Sequence, residues 1–131
     1  MSRVFVDTSA LLALVVGSDE AHEKAKEGFG RLRAERASLV TSSYVLVETY
    51  ALLQSRIGIG AVRVFREAFA PLLEVLWVDE VAHERALDEL LLRDTRKLSL
   101  VDATSFVLMR ANRVDRAFAF DGHFREEGYT L

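Results

Sequence analysis

The sequence has no cysteine, only one proline among its 131 residues, and no apolar run long enough to cross a membrane. The absence of cysteine excludes a disulfide framework, thiolate metal ligands and a cysteine nucleophile. The longest apolar stretch near the N-terminus covers residues 10–16, and no signal peptide precedes the first strand pattern. These absences predict a cytoplasmic protein that does not contact the membrane.

The formal net charge of −3 gives the chain no general basic surface for nucleic acid. Positive charge is instead concentrated in three local clusters. Cations at solvated helix ends are the better explanation for any single cluster, while contact with phosphate remains open for one or two of them. The clusters are Arg31, Arg33 and Arg36; Arg93, Arg96 and Lys97; and Arg110, Arg113 and Arg116.

Short apolar runs alternate with helical patterns along the whole chain. This alternation predicts an α/β fold, a three-layer α/β/α sandwich with a mostly parallel central sheet, in which only the last two strands could form a hairpin. The length and the absence of a linker or repeat predict a single domain over residues 1–131. The strands are predicted near residues 4–6, 39–40, 75–78, 117–120 and 129–131, the last as an edge strand.

Three acidic residues lie at junctions between predicted strands and helices. Asp7 and Asp121 each follow an apolar strand pattern, and Asp102 lies at the start of an apolar helix. Each has an ordinary structural explanation. Asp7 is a good helix cap, Asp102 fits a capping box that begins at Ser99, and Asp121 with Gly122 is a common hairpin turn.

A fourth acid, Glu48, lies on the apolar face of a predicted helix. Its neighbours three and four positions away are Tyr44, Val45, Ala51 and Leu52. A glutamate in such a stripe is rarely buried unless it is paired or bound to a cation. The sequence therefore leaves two alternatives for Glu48, an ion pair with a buried arginine or a place in a metal site.

Taken together, the four acids predict a metal site more strongly than each does alone. Ligands of open α/β sheets bind beyond the carboxyl ends of the strands, where Asp7 and Asp121 are expected. Converging carboxylates with no cationic side chain among them would repel one another without a bound cation. Carboxylate oxygens suit Mg²⁺ or Mn²⁺ better than zinc. We therefore predict that Asp7, Glu48, Asp102 and Asp121 bind Mg²⁺ or Mn²⁺.

The motifs around these acids resemble those of the PIN-domain family, and in particular the VapC-type toxins of toxin–antitoxin pairs. The resemblance covers nearly the whole chain, from the opening strand with Asp7 to the segment after Asp121. It implies a Mg²⁺- or Mn²⁺-dependent endoribonuclease that cleaves RNA. It also implies a homodimer that is held inactive by an antitoxin, whose C-terminal segment occupies the acidic groove.

The same resemblance implies a role for each acid. Asp7 and Asp102 would be the principal metal ligands and catalytic residues, with Glu48 and Asp121 completing the acidic cluster. One position departs from the family pattern, since members often have Thr or Ser two residues before the last acid, where this chain has Ala119. This departure weakens the assignment of Asp121 as a direct ligand.

Two other functions remain open from the sequence. A Mg²⁺-dependent phosphatase or a receiver-like α/β domain also carries acids at strand ends. A receiver, however, needs a second acid after the first strand, where this chain has Thr8 after Asp7. A non-catalytic PIN-like module that binds RNA or a partner is the other alternative, and the four intact acids argue against it.

The third and fourth predicted helices carry more apolar residues than one small sheet can cover. This excess independently predicts a two-fold homodimer that buries part of their surface. The residues concerned are Tyr50, Leu53, Ile57, Ile59, Val62 and Phe65.

Overall fold

Four short strands form one parallel sheet in the computed structural model, which describes residues 2–131. Their order across the sheet is β3-β2-β1-β4, so β1 lies between β2 and β4 and pairs with both. All four strands therefore end at the same edge of the sheet, and the strand order reverses between β1 and β4. The strands are β1 (Arg3–Val6), β2 (Ser38–Ser42), β3 (Leu73–Leu76) and β4 (Arg116–Phe118).

Helices fill the connections and flank the sheet, which confirms the predicted α/β/α class. The fourth helix continues into a π-helical turn, Phe65–Phe69, and a 3₁₀ turn, Ala70–Leu72, where Pro71 ends it as predicted. None of the helices in residues 2–131 is long and apolar enough to span a membrane. The helices are α1 (Thr8–Val15), α2 (His22–Ala34), α3 (Ser43–Arg56), α4 (Ile59–Val64), α5 (Glu80–Arg93), α6 (Leu100–Ala111) and α7 (Gly122–Glu126).

The centre of the core is built from β1 and the helices beside it. Val4, Phe5 and Val6 are fully or almost fully buried, as expected for a central parallel strand that is covered on both faces. Helix α1 is buried along most of its length, and α6 is buried from Asp102 to Met109. Each of these two buried helices has an acidic residue at its N-terminal end: Asp7 is the N-cap of α1, and Asp102 lies in the first turn of α6.

Two predicted strands end earlier in the structure than expected, whereas β1 and β2 each begin one residue earlier and β2 extends to Ser42. The third was expected at 75–78 but ends at Leu76, and Trp77 is 76% exposed. The N–H of Val78 donates to Ser43 Oγ (2.9 Å), so the chain has already left the sheet there. The fourth strand likewise ends at Phe118, before the predicted bound. The prediction was wrong because aromatic and β-branched residues favour strands even where no partner strand is present.

The predicted turn at Asp121 and the predicted C-terminal hairpin are also wrong. Asp121 is the N-cap of α7, and its side chain accepts a hydrogen bond from the N–H of His123 (3.0 Å). A helix therefore separates β4 from the C-terminal residues, and Thr130 forms a single parallel bridge with Arg116. Aspartate serves helix caps and turns equally well, so the local pair Asp-Gly could not distinguish them.

The apolar surface on α3 and α4 is smaller than the sequence predicts. Leu53 and Phe65 are completely buried within the single chain, and Tyr50 packs edge-on against Phe65 with ring centroids 5.2 Å apart. Ile57 and Ile59 remain more than half exposed. The extra helical turns after α4 explain the difference, because they fold Phe65 back onto the core.

Candidate metal centre

Asp7 occupies the junction between the central strand and the most buried helix. Its N–H donates to the carbonyl of Phe118 at the end of β4 (3.0 Å), and its side chain caps α1. Asp7 Oδ2 accepts hydrogen bonds from the N–H (3.2 Å) and the hydroxyl (2.8 Å) of Ser9. The other oxygen, Oδ1, is buried and has no hydrogen-bond partner within residues 2–131. Asp7 is only 2% exposed, so this oxygen is a buried acceptor without a protein donor among the described residues.

Asp102 reaches the same region from α6. Ser99 caps this helix, and its hydroxyl accepts a hydrogen bond from the N–H of Asp102 (3.0 Å), as the capping pattern predicts. Asp102 is 8% exposed and is followed by a fully buried stretch of helix. The first turn of α6 thus holds a carboxylate at the boundary of the core.

The structure brings together three of the four predicted acids. Asp7, Asp102 and Asp121 each offer a carboxylate oxygen, and these oxygens lie within 4.8 Å of one another. Asp121 is half-buried and follows β4, the neighbour of β1, so the sheet order places it beside Asp7. We call these three residues the acid cluster. It lies where the strand order reverses, which is where open α/β sheets bind ligands.

Glu48 lies close to the acid cluster but is not part of it. It is half-buried on α3 and forms no ion pair with an arginine anywhere in residues 2–131. Its negative charge still acts on Asp102, where it is the smallest of the effects that raise the pKa.

The helix that carries Glu48 is joined to α1 by two side chains. The hydroxyl of Thr8 donates to the carbonyl of Val45 (3.4 Å), and the hydroxyl of Thr49 donates to that of Thr8 (3.3 Å).

Burial and mutual repulsion raise the pKa values of two cluster acids. The pKa of Asp7 is raised to about 7, first by burial and then by the charges of Asp121 and Asp102, while the hydrogen bonds from Ser9 oppose the shift. The pKa of Asp102 is raised to about 6, first by burial and then by Asp121, while the charge of His123 lowers it. Ionising Asp7 and Asp102 is therefore costly in the absence of a cation.

This geometry fits a hard divalent cation. The cluster supplies only carboxylate oxygens, the ligand type that Mg²⁺ and Mn²⁺ prefer. The unpartnered Oδ1 of Asp7 is a buried acceptor for which residues 2–131 provide no donor, and a bound cation would satisfy it. The same cation would offset the repulsion that raises the pKa values of Asp7 and Asp102.

Comparison with known proteins identifies the family of this fold. The family model of the PIN domain matches residues 4–127. The chain belongs to the PIN domain family. It is 39% identical over 129 residues to the 23S rRNA-specific endonuclease VapC20 of Mycobacterium tuberculosis, a match that covers 97% of this chain and 95% of that protein. The resemblance noted from the sequence motifs is thereby confirmed.

Solved structures show the same PIN fold. The crystal structure of Mycobacterium tuberculosis VapC20, described as a Sarcin-Ricin loop cleaving toxin, matches with a TM-score of 0.82 and 38% identity over 96% of this chain and 95% of that one. A toxin–antitoxin complex from Klebsiella pneumoniae contains a chain with a TM-score of 0.69 and 19% identity, covering 98% of this chain and 95% of that one. The second likeness concerns the fold alone.

Ser9 connects two parts of this PIN domain that carry acids, and the sequence analysis gave it no separate role. Its hydroxyl donates to Asp7 Oδ2 and accepts a hydrogen bond from the N–H of Phe120 (2.9 Å), the residue before Asp121. One hydroxyl thus orients the Asp7 carboxylate and holds the segment after β4. A hydroxyl residue two positions after a strand-end acid was the available signal, but its distant partner could not be seen in the sequence.

We expect Ser9→Ala to weaken Mn²⁺ binding by about 10-fold to 100-fold, as is typical when a residue that orients a metal ligand is removed. The Phe120 N–H would lose its acceptor, and Asp7 would lose its only hydroxyl donor. Calorimetric titration with Mn²⁺ measures the effect, and Ser9→Thr, which keeps a hydroxyl, should restore most of the affinity. Equal affinities of the alanine variant and the wild type would show that the Ser9 hydroxyl does not orient Asp7 for metal binding.

Proposed function

We propose that this PIN domain is a metal-dependent endoribonuclease, the toxin of a type II toxin–antitoxin pair. The observation that carries the proposal is the acid cluster, in which three carboxylates lie within 4.8 Å and one buried oxygen has no partner. RNA as the substrate is supported by the relative VapC20, which is 39% identical and is a 23S rRNA-specific endonuclease. The reaction would be hydrolysis of an RNA phosphodiester bond.

In the proposed mechanism Asp7 and Asp102 hold Mg²⁺ or Mn²⁺, and Asp121 and Glu48 complete the acidic environment. The cation, when bound, lowers the pKa of a water molecule and offsets negative charge that develops on the phosphate. The protein keeps the two ligands in place: Ser9 orients the Asp7 carboxylate, and the Ser99 cap fixes the first turn of α6 beneath Asp102. Water is the nucleophile, so no side chain is required to form a covalent intermediate.

A cleavage assay tests this function directly. Labelled RNA is incubated with the purified protein in Mg²⁺ or Mn²⁺ and in EDTA, and the new ends are mapped, with DNA of the same sequence as the control. Metal-dependent internal cleavage of RNA alone is the expected result. RNA binding without cleavage at any metal concentration would instead support the non-catalytic alternative. Formation of an aspartyl adduct with an acyl phosphate would favour phosphatase or receiver chemistry.

We further infer that the protein acts in the cytoplasm as a homodimer. Ile57 and Ile59 stay more than half exposed after the core of the single chain has formed, so the end of α3 and the start of α4 retain apolar surface for a second copy. Light scattering at micromolar concentration tests this inference. A monomer under those conditions would contradict it.

The proposed antitoxin is expected to compete with the metal. A carboxylate cluster with an unpartnered oxygen attracts the side chain of an arginine or lysine as readily as it attracts a metal ion, because these side chains form charge-assisted hydrogen bonds to carboxylates. We expect the partner to insert such a side chain among Asp7, Glu48, Asp102 and Asp121. Cleavage rates measured over a series of Mg²⁺ concentrations should show that inhibition weakens as Mg²⁺ rises, and also as salt rises. Inhibition that is independent of Mg²⁺ and survives replacement of the antitoxin's basic residues by alanine would contradict this mechanism.

A further inference from the structure

A cleft lies beside the acid cluster, along the outer side of β4. Its volume is about 450 Å³, and it is bounded by α2, α7 and the last residues of the chain. Asp121 and Phe120 line it, so the cleft is continuous with the acid cluster. Gly28 and Phe118 also line it, and both are buried. A Cβ at Gly28 would lie 3.0 Å from the Phe118 ring, so the absence of a side chain there lets α2 approach β4.

Three cations line this cleft without neutralising partners. Lys24 and Arg31 lie on α2, Arg125 lies on α7, and all three are exposed. None of them forms an ion pair within residues 2–131. Of the basic clusters found in the sequence, only Arg31 lines this cleft, whereas three of their other arginines form ion pairs: Arg93 with Glu89 and Glu127, Arg110 with Glu89, and Arg116 with Glu35.

The remaining side chains of the cleft favour a nucleic acid over an acidic protein segment. Phe120 is 37% exposed, which leaves part of an aromatic ring available for stacking against a base. Two acids, Glu27 and Asp121, also line the cleft, and Asp121 belongs to the proposed cation site. The three positive side chains outnumber these two acids even without a cation, and a cation bound to Asp121 would leave only Glu27 opposing them. This balance suits a polyanion that approaches the acid cluster.

We propose that the cleft binds the single-stranded RNA segment next to the scissile phosphate. Lys24, Arg31 and Arg125 contact its phosphates, and Phe120 stacks against one base. The inference rests on the proposed ribonuclease function. It adds the surface along which the RNA strand runs as it leaves the acid cluster. The two proposals fail separately, because binding can be measured in EDTA, where cleavage does not occur.

The test compares two triple variants with the same loss of charge. Lys24→Gln/Arg31→Gln/Arg125→Gln removes the cations of the cleft. Lys26→Gln/Arg63→Gln/Arg66→Gln removes one lysine and two arginines that are equally exposed and do not line the cleft. Affinity is measured in EDTA by fluorescence anisotropy, with a labelled single-stranded RNA of about 12 nucleotides, within the usual size of such sites. Circular dichroism melts check that both variants fold.

We expect the cleft variant to bind RNA about 10-fold to 100-fold more weakly than the wild type between about 50 and 200 mM salt, with a salt slope reduced by about 2. The control variant should lose much less RNA affinity, because the cations that it lacks act on the RNA only from a distance. Phe120→Leu should lose about tenfold through stacking, with little change in the salt slope. With Mg²⁺, the cleft variant should keep kcat at saturating RNA while KM rises, because the acid cluster is unchanged.

Equal RNA affinities of the two triple variants would overturn the proposal, and metal-dependent cleavage by the wild type would then leave the ribonuclease function standing. Loss of affinity for an oligoglutamate peptide but not for RNA would also overturn it, and would assign the cleft to an acidic protein segment. Selective loss of RNA binding by the cleft variant, together with no cleavage by the wild type, would support the cleft and refute the ribonuclease function.

Discussion

Replacing Asp7 by asparagine is expected to abolish metal-dependent RNA cleavage while making the metal-free protein more stable. The cation contributes several kcal/mol to the transition state, and each 1.36 kcal/mol corresponds to a tenfold change in rate, so activity should fall by about a thousandfold or more. Asp102→Asn should act in the same way. Both substitutions keep the size of the side chain, and Asn caps helices as well as Asp does.

The gain in stability follows from the environment of Asp7. Burial and the charges of Asp121 and Asp102 raise its pKa to about 7, so its ionised form is destabilised in the folded protein. Removing that charge at pH 8 should relieve on the order of 1–3 kcal/mol. For a chain of this length the melting temperature should rise by about 3–10 °C. A residue that served only to cap α1 would give no such gain.

Asp79 provides a matched control for this experiment. It is also an N-cap aspartate that follows a strand, and its side chain accepts a hydrogen bond from the N–H of Ala82 (2.8 Å). It is exposed and lies outside the acid cluster. Asp79→Asn should keep full cleavage activity and the increase in melting temperature that Mg²⁺ gives the wild type, whereas Asp7→Asn should lose both. Full activity of Asp7→Asn or Asp102→Asn would leave those residues as helix caps.

The sequence was sufficient to predict most of the acid cluster, because the relevant geometry is local. Asp7 follows β1 directly and Asp121 comes three residues after the end of β4, and parallel strands bring their ends to one edge. Asp102 is placed by the cap at Ser99, a signal contained within four residues. These placements require only that the strands and helices form.

Features that depend on how distant elements pack were not predictable. The sequence puts Glu48 on the same face as Val45 and Leu52, but how far it reaches toward Asp102 depends on the packing of α3 against α1 and α6. The bridge from Ser9 to Phe120 spans 111 residues. The cleft brings together Arg31 and Arg125, which are also far apart in sequence, so the sequence could not show which basic residues share a surface or which form ion pairs.

A second large effect is expected from pH, because protons and the metal compete for the same carboxylates. Since the pKa of Asp7 is raised to about 7 and that of Asp102 to about 6, metal binding should displace one proton just below pH 7 and two below pH 6. As pH falls below 7, the affinity for Mn²⁺ should therefore decrease about tenfold per pH unit. Below pH 6 the decrease should approach a hundredfold per pH unit. Mn²⁺ should bind about a thousandfold more weakly at pH 5 than at pH 8.

The stability of the metal-free protein should decrease as pH rises, whereas its affinity for the metal increases. Both acids have pKa values above the ordinary value of 3.8, so the folded state retains protons that the unfolded state has released. Their contribution is fully present below about pH 4 and is lost as pH rises through about 6 to 7. Asp7→Asn should remove most of this dependence, since it removes the group with the larger shift. Thermal melts in EDTA across this pH range measure it.

Calorimetric titration with Mn²⁺ in buffers of different ionisation enthalpy counts the released protons directly. We expect about one proton per ion near pH 6.5, approaching two near pH 5.5, and almost none at pH 8. Surface carboxylates with ordinary pKa values would release almost none at any of these pH values, because they are already ionised. An affinity that stayed constant from pH 8 to pH 6 would therefore place the cation away from Asp7 and Asp102.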